Sequence, residues 1–500
     1  IFKRRNTCPT TTPLARISRL LTQRTMSNDE LLEAYIEVDV IIPVHNAADT
    51  VGETVESALH QVIPQDFSLE YHLRINVCCH DDGSTDDSWK ILSNLQREYN
   101  FKSKPEAKQS KSIFSRLIIA KSPDGVGRGA GFARNRAAEL SSSNHWKGRA
   151  KERFLCLLDS DDIMHPTRVV EQTSTMMKLP TEERLRTLLG CKVQRDPPDS
   201  TWHYTRWANS LTDDRLMLER FRECTLLQPT WFLTRSRFKL LGGYIEAPKE
   251  NDQQMGDGFS HTDKSDSSIL RLIHPTFDTP QTLRLAEDLR FFHSHLQANG
   301  LLRLHRPSKD PDMALVTYRH RVNQSQSFQT SRKLLLHLRA LAFERCVLQE
   351  QNSAMAWPTS HHRGAFVVWG AGRDGKDFVK ALSKEARERV YCFVDVDGKK
   401  IEQGFYANQE LKLKISIVHF SLLATSEVER QRLLESDVNF GQIDKSKPSK
   451  ASDNQQVESG PKSKKQKTET AIAACPKVQK SMDLSILPDL PVVVCVAMYR

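Results

Sequence analysis

Two apolar runs that stop abruptly at clustered acids constrain this chain more than any other feature. Residues 72–79 (HLRINVCC) lead into Asp81-Asp82-Gly83-Ser84, and residues 154–158 (FLCLL) lead into Asp159-Ser160-Asp161-Asp162. A strand covered on both faces reads as a continuous apolar run, and acids at its end mark where the chain leaves the core. Helical spacing fills the gaps between such runs. Val51, Val55, Ala58 and Leu59 follow a strand at 38–45 (VDVIIPVH), and Ile91, Leu92 and Leu95 follow the second strand. A third strand at 116–120 is followed by glycines within 125–131 and a helix carrying Arg134, Asn135 and Arg136. Alternation of this kind predicts an open parallel sheet with ligands at the carboxyl ends of its strands.

The acids suggest the ligand. In extended chain, residues two apart point the same way, so Asp159 and Asp161 are expected to face one ligand. Carboxylates are the hard oxygen donors that Mg²⁺ or Mn²⁺ takes, and such an ion neutralises a diphosphate leaving group. The bland alternative is an acidic turn without a ligand; the second acidic strand end upstream favours the metal. Asp81–Ser84 is also a good turn sequence, which is compatible with reading a nucleotide there. The glycines of 125–131 suit close approach of backbone to that nucleotide.

A second α/β unit is expected from residue 363. Residues 365–369 form a strand, 370–375 (GAGRDG) a Gly-rich turn, 376–382 a helix, and 390–394 a strand ending at Asp395. This is a G-x-G-x-x-G in βαβ context with an acid about twenty residues on. It is either a dinucleotide site or a close helix–strand packing, and packing is the expectation. The predicted layout is an extension at 1–36, a catalytic α/β domain at 37–330 with a polar insert at 249–281, a helical connector at 331–362, and a Rossmann-like module at 363–500. The extension and the basic stretch 445–480 are expected to be disordered.

Charge and cysteine usage narrow the partners. A net charge of +10 and a pI near 9.0 suit a polyanion, although part of the excess sits in the tail and loops. The ten cysteines show no framework spacing, and Cys78 and Cys79 are adjacent, which suggests reduced thiols. No apolar run is long enough for a bilayer span, so no membrane anchor is expected. A cytoplasmic location follows as the expectation, with nuclear and mitochondrial alternatives.

Six segments in order resemble family 2 glycosyltransferases: IIPVHNAADTVGETVESALHQ, HDDGSTDDS, GVGRGAGFARNRA, LCLLDSDDIMHPTRV, LGGYIE and AEDLRFFHSHL. The resemblance implies a GT-A fold and a UDP-sugar donor. It implies that Pro43, Asn46 and Asp82 border the uridine, that Arg134 and Asp159 serve the donor, and that Asp159 and Asp161 meet a metal–diphosphate. Asp288, beside Glu287, becomes the general base. A narrower likeness, through residues 190–211, 229–232 and 366–406, is to members that glycosylate a modified nucleoside of tRNA, and it implies UDP-galactose as donor. Trp231, Trp202 and Tyr204 are the acceptor candidates, because aromatic rings stack on bases and sugar faces; Trp207 is expected in the core. The alternatives are a UDP-GlcNAc-dependent β-1,3-N-acetylglucosaminyltransferase acting on a galactoside or protein, and a non-catalytic nucleotide- or tRNA-binding module.

Overall fold

The structure, a computed structural model, describes residues 35–64, 70–102, 113–142, 150–247, 271–276, 278–307, 309–320, 330–348, 364–424 and 482–494, with isolated positions between 426 and 431. Most of the expected N-terminal extension, most of the polar insert and all of 445–480 lie outside the described residues.

The first unit is built on strands β1 (Tyr35–Val44), β2 (His72–Asp81), β3 (Ile113–Lys121) and β4 (Ala150–Leu157), joined through helices α1 (Val51–Leu59), α2 (Ser88–Lys102) and α3 (Ala130–Glu139). β1 pairs in parallel with both β2 and β4, and β2 with β3. Farther along come β5 (Ile163–Met164), α4 (Arg168–Lys178), β6 (Thr187–Cys191), β7 (Val193–Asp196), α5 (Trp202–Ser210) and β8 (Phe232–Thr234). Helix α6 (Glu287–Gln297), β9 (Leu301–His305) and β10 (Val316–Arg319) complete this unit. The main sheet runs β3-β2-β1-β4-β8-β6-β9, and a small sheet runs β5-β10-β7.

The main sheet is mixed, not wholly parallel as the alternation predicted. β8 lies antiparallel between β4 and β6.

Successive strand residues serve opposite faces, and two cores result. Ile41, Cys78 and Leu155 enter one, while Ile42, Cys79 and Cys156 enter the other. The adjacent cysteines are therefore buried on opposite sides of the sheet, and both are free thiols. β1 also buries two acids. Arg235 donates to Asp39 at 2.7 Å, Arg153 lies 2.8 Å from Glu37, and the Asn76 amide donates to both carboxylates. Paired in this way, the acids do not preclude a central strand.

The second unit holds β11 (Phe366–Trp369), α8 (Arg373–Ala381), β12 (Val390–Asp395), β13 (Phe405–Asn408), β14 (Leu413–His419) and β15 (Val492–Val494). Its sheet runs β13-β14-β12-β11-β15, with only the β13–β14 pair antiparallel. Helix α7 (Arg332–Phe343) connects the units: Leu338 and Ala342 enter a core of the first, Ala340 and Phe343 the core of the second. Two expected boundaries move. β1 starts at Tyr35, inside the expected extension. Within the expected insert, Leu272 is buried and Asp278 receives the Arg290 guanidinium of α6 at 2.8 Å, so these two residues belong to the packed unit.

Candidate active site

The strands β1, β2 and β4 end side by side. Val44 is in register with Asp81, and the Leu158 N–H donates to the Ile41 carbonyl at 3.1 Å. Loops carrying the acids therefore gather at one edge of the sheet. Gly83, with φ of 74°, is required there: a Cβ would stand 2.5 Å from the Gly125 carbonyl oxygen. The DDGS turn and the Gly-rich loop are thus stacked backbone on backbone.

Asp82 holds that stack together. One carboxylate oxygen accepts the backbone N–H groups of Arg128 at 2.6 Å and Gly129 at 2.7 Å, and the other accepts the Ser122 hydroxyl at 3.1 Å. At 2% exposure, its carboxylate is committed to shaping the loop. Pro43 is likewise buried within β1. Asn46 is the exposed member of the expected uridine trio. It adopts a left-handed φ of 50°, and its side-chain oxygen accepts the Thr85 N–H at 2.8 Å.

Arg134 links the donor side to the expected base. From the buried face of α3 it donates to Asp159 at 2.6 Å and to Glu287 at 2.9 Å. Burial opposes its charge, but Asp159 and Glu287 more than offset that, and its pKa rises. The surrounding motifs exist to allow this bridge. Gly131 lets α3 approach α6, since a Cβ would meet Tyr244 at 3.2 Å and Glu287 at 3.4 Å. Asn135 clamps the LGGYIE segment by accepting the Tyr244 N–H and donating to the Tyr244 carbonyl, both at 2.9 Å. Ala286, immediately before Glu287, takes a left-handed φ of 54°, a strained setting for a non-glycine residue at the start of α6.

Asp288 sits on the first turn of α6, where its carboxylate accepts the Leu289 N–H at 2.7 Å. Burial, then the neighbouring Glu287, pushes its pKa up to about 7. An Asp at its ordinary value would be fully ionised at neutral pH; this one is not. A poised carboxylate with a pKa near the working pH is the better proton acceptor.

The metal residues also differ from expectation in geometry. Asp159 and Asp161 lie in a turn closed by the Asp162 N–H on the Asp159 carbonyl at 3.2 Å, not in extended chain. Asp162, next in sequence, is buried; one of its oxygens accepts the Arg319 N–H at 3.0 Å and the other has no hydrogen-bond partner. Burial, followed by repulsion from Asp159 and Asp161, drives its pKa well up. Among the described residues no three His, Cys, Asp or Glu side chains form a complete metal cage. The surplus of negative charge and the orphaned oxygen fit a divalent ion that takes one or two carboxylates from the protein and its other oxygens from a diphosphate.

The acceptor candidates separate. Trp231, expected to line the site, is fully buried: its indole N–H donates to the Leu226 carbonyl at 2.9 Å and its ring packs on Phe291 and Phe292. A bulky ring beside β8 is worth more as core than as lining. Trp207 is partly buried, with its N–H on Glu219 at 2.6 Å. Tyr204, on the inner side of α5, packs beside Trp207, and burial, then Glu223, pushes its phenol well up. Trp202 is 48% exposed and stacked on His203. Residues the sequence reading missed join them: Arg195 lies 4.1 Å over the Tyr318 ring, and Tyr318 in turn senses Asp162, Asp159 and Asp161. Their only signal was proximity in sequence to recognised segments.

In the second unit the Gly-rich turn is occupied with itself. A Cβ on Gly375 would stand 1.9 Å from the Gly370 carbonyl oxygen, so this glycine permits close helix–strand packing. Asp395 accepts the Ala371 N–H at 2.7 Å and the Lys400 ammonium at 2.9 Å, which turns it onto the loop and helix beside it.

Comparison with known proteins bears on part of the first unit and stops short of α6. The family model described as Glycosyl transferase family 2 matches residues 39–237. Over 139 residues the chain is 32% identical to the UDP-Glc:α-D-GlcNAc-diphosphoundecaprenol β-1,3-glucosyltransferase WfaP of Escherichia coli, covering 28% of this chain and 41% of that protein. Over 127 residues it is 26% identical to the poly(ribitol-phosphate) β-glucosyltransferase of Bacillus spizizenii, covering 25% of this chain and 15% of that one. The chain thus spans less than half the length of either relative. The solved structure of S. aureus TarS 1-349 in complex with UDP-GlcNAc is similar over 71% of this chain and 84% of that chain, at 14% identity and a TM-score of 0.36. Among the described residues no helix is long and apolar enough to cross a membrane. The α/β architecture is that of a GT-A domain followed by a smaller α/β sheet, and residues 39–237 of the first unit match the model of glycosyl transferase family 2.

Proposed function

We propose that this chain transfers galactose from UDP-galactose to the queuosine of a tRNA anticodon, by a single inverting displacement. The observation that carries the catalytic part is Arg134, which ties Asp159 on the donor side to Glu287 beside Asp288. The acceptor hydroxyl gives its proton to Asp288 as its oxygen attacks the anomeric carbon. The bond from that carbon to the diphosphate breaks, and UDP leaves with the electron pair. A divalent ion, Mn²⁺ or Mg²⁺, held by Asp161 with Asp159, would supply Lewis-acid neutralisation of the leaving diphosphate. Inversion agrees with the relatives' names, since both form β-glucosyl products, and a UDP-hexose carries its sugar as the α anomer.

The identity of donor and acceptor rests on the likeness of residues 190–211, 229–232 and 366–406 to queuosine-tRNA galactosyltransferase. The net charge of +10 supports a polyanionic acceptor, held through phosphates without sequence preference. The test is transfer of label from radiolabelled UDP-galactose, UDP-glucose and UDP-GlcNAc to tRNA with and without queuosine. Label from UDP-galactose on the queuosine-containing pool alone supports the assignment. Transfer to free galactosides or proteins, with none to tRNA, overturns it.

A further inference from the structure

Helix α5 turns two different faces to its surroundings. Inward, Tyr204 packs beside Trp207, and with Tyr318 both lie against the cluster that holds Val193, Leu315 and Val316. Outward, Trp202, His203 and Arg206 are exposed. Trp202 is the one aromatic among the exposed large hydrophobic side chains of the described residues. Its ring stacks on His203 with centroids 3.4 Å apart and planes 29° from parallel. Trp202 and Arg206 are four apart on the helix and share a face. Leaving a ring of this size half in water forgoes part of its burial free energy. The arrangement is accounted for if something covers the ring.

The surroundings say what kind of molecule that is. The helix is linked through β7 and β10 to the acidic turn at 159–162. Arg195 at the end of β7 donates to Thr205 of α5 at 2.9 Å and stacks 4.1 Å over Tyr318 of β10. β10 also delivers the Arg319 N–H to Asp162 at 3.0 Å. Of the acids preceding the helix, Asp196 lies 3.7 Å from the Arg319 guanidinium. A flat exposed ring pair flanked by arginines, on a helix linked to that turn, matches a partner with stackable rings and negative charge. An unpaired polynucleotide offers both in alternation. A neutral glycan offers sugar faces for the ring but nothing for Arg206 and Arg195.

We propose that the outer face of α5, with Trp202, His203 and Arg206, is the platform on which a single-stranded segment of the acceptor nucleic acid stacks. This rests on the tRNA reading and adds a specific surface to it.

The test uses the full chain with intact tRNA and with a fluorescently labelled, single-stranded RNA heptamer as probe. Trp202→Ala raises the KM for tRNA and the Kd for the heptamer about 5- to 100-fold, the range expected for one lost base–aromatic stack. The KM for UDP-galactose stays unchanged. Trp202→Phe restores most of the loss, because stacking needs only a ring. Arg206→Glu weakens binding and lowers the slope of log Kd against log salt by about one. Wild-type KM and Kd in Trp202→Ala overturn the platform and leave the tRNA acceptor standing, provided that wild-type enzyme modifies tRNA. Failure of the wild-type protein to bind or modify any RNA overturns both. A rise in KM for a neutral galactoside, with RNA binding unmoved, overturns the platform and assigns Trp202 to a glycan.

Discussion

The raised pKa of Asp288 makes the pH profile the most discriminating property of the proposed centre. Burial and Glu287 together hold that carboxyl at about 7, against roughly 3.9 for a free Asp. If the ionised form is the base, roughly a tenth of the enzyme is competent at pH 6 and roughly nine-tenths at pH 8, so kcat/KM rises about tenfold between them. An ordinary carboxylate would be ionised throughout and give a flat profile. Glu223 also raises Asp288, so Glu223→Gln shifts the rising limb to lower pH. Asp288→Asn keeps the shape, lowers kcat by ~10²–10⁴-fold and removes the limb. The sign for stability is the reverse of that for activity. An unfolded Asp ionises near pH 4, so ionising Asp288 in the fold costs stability as pH rises from about 4 to 7, and the cost persists above 7. Asp288→Asn therefore melts above wild type at pH 8, and the gap closes towards pH 4. The assay is the steady-state rate with saturating metal from pH 5.5 to 8.5, paired with thermal melts. A flat wild-type profile, or a limb that survives intact in Asp288→Asn, would refute the assignment of the base.

Other expectations follow from single contacts. Asp161→Ala lowers turnover by at least ~10²-fold, and EDTA does the same to wild type; full activity in EDTA removes the metal from the account. Arg134→Ala leaves Asp159 and Glu287 facing each other without their cation and destabilises the fold by about 2–4 kcal/mol in denaturant unfolding. Arg134→Lys, which can reach one partner but not fork to both, recovers only part of the activity; recovery to the wild-type rate would deny the bridge a role. In the second unit Gly375→Ala drives a methyl into the Gly370 carbonyl and costs about 1–3 kcal/mol or more, whereas Gly372→Ala meets nothing within 4 Å and stays within ~0.5 kcal/mol. Equal effects at the two positions would contradict the packing role assigned to Gly375.

What the sequence made legible was local. Apolar runs located β1, β2 and β4 to within a few residues, and the acids at their ends did gather at one sheet edge. The adjacent cysteines were correctly read as thiols, because alternation sends Cys78 and Cys79 to opposite cores. Interactions between distant segments were not legible. Arg134 meets Glu287 across 153 positions, and no spacing rule anticipates one guanidinium bridging two motifs. Asp82 looked like a ligand-reading acid, yet two backbone N–H groups from a loop some 46 residues away claim its carboxylate. Trp231 looked like lining because aromatics stack on sugars, but β8 carries it into the core. Local pattern identifies which side chains have chemical capacity; packing decides which of them face a ligand.

The step proposed is transfer of a hexose onto queuosine with Asp288 as base, beside the carboxylates that Arg134 ties together. The most direct measurement is mass spectrometry of nucleosides from tRNA incubated with UDP-galactose and either wild-type or Asp288→Asn protein. The account predicts a queuosine heavier by one anhydrohexose with the wild type, none with Asp288→Asn, none on tRNA carrying unmodified guanosine, and yield that falls steeply with salt. An unmodified queuosine with the wild type, alongside hexose on a free galactoside that is indifferent to salt, would contradict it.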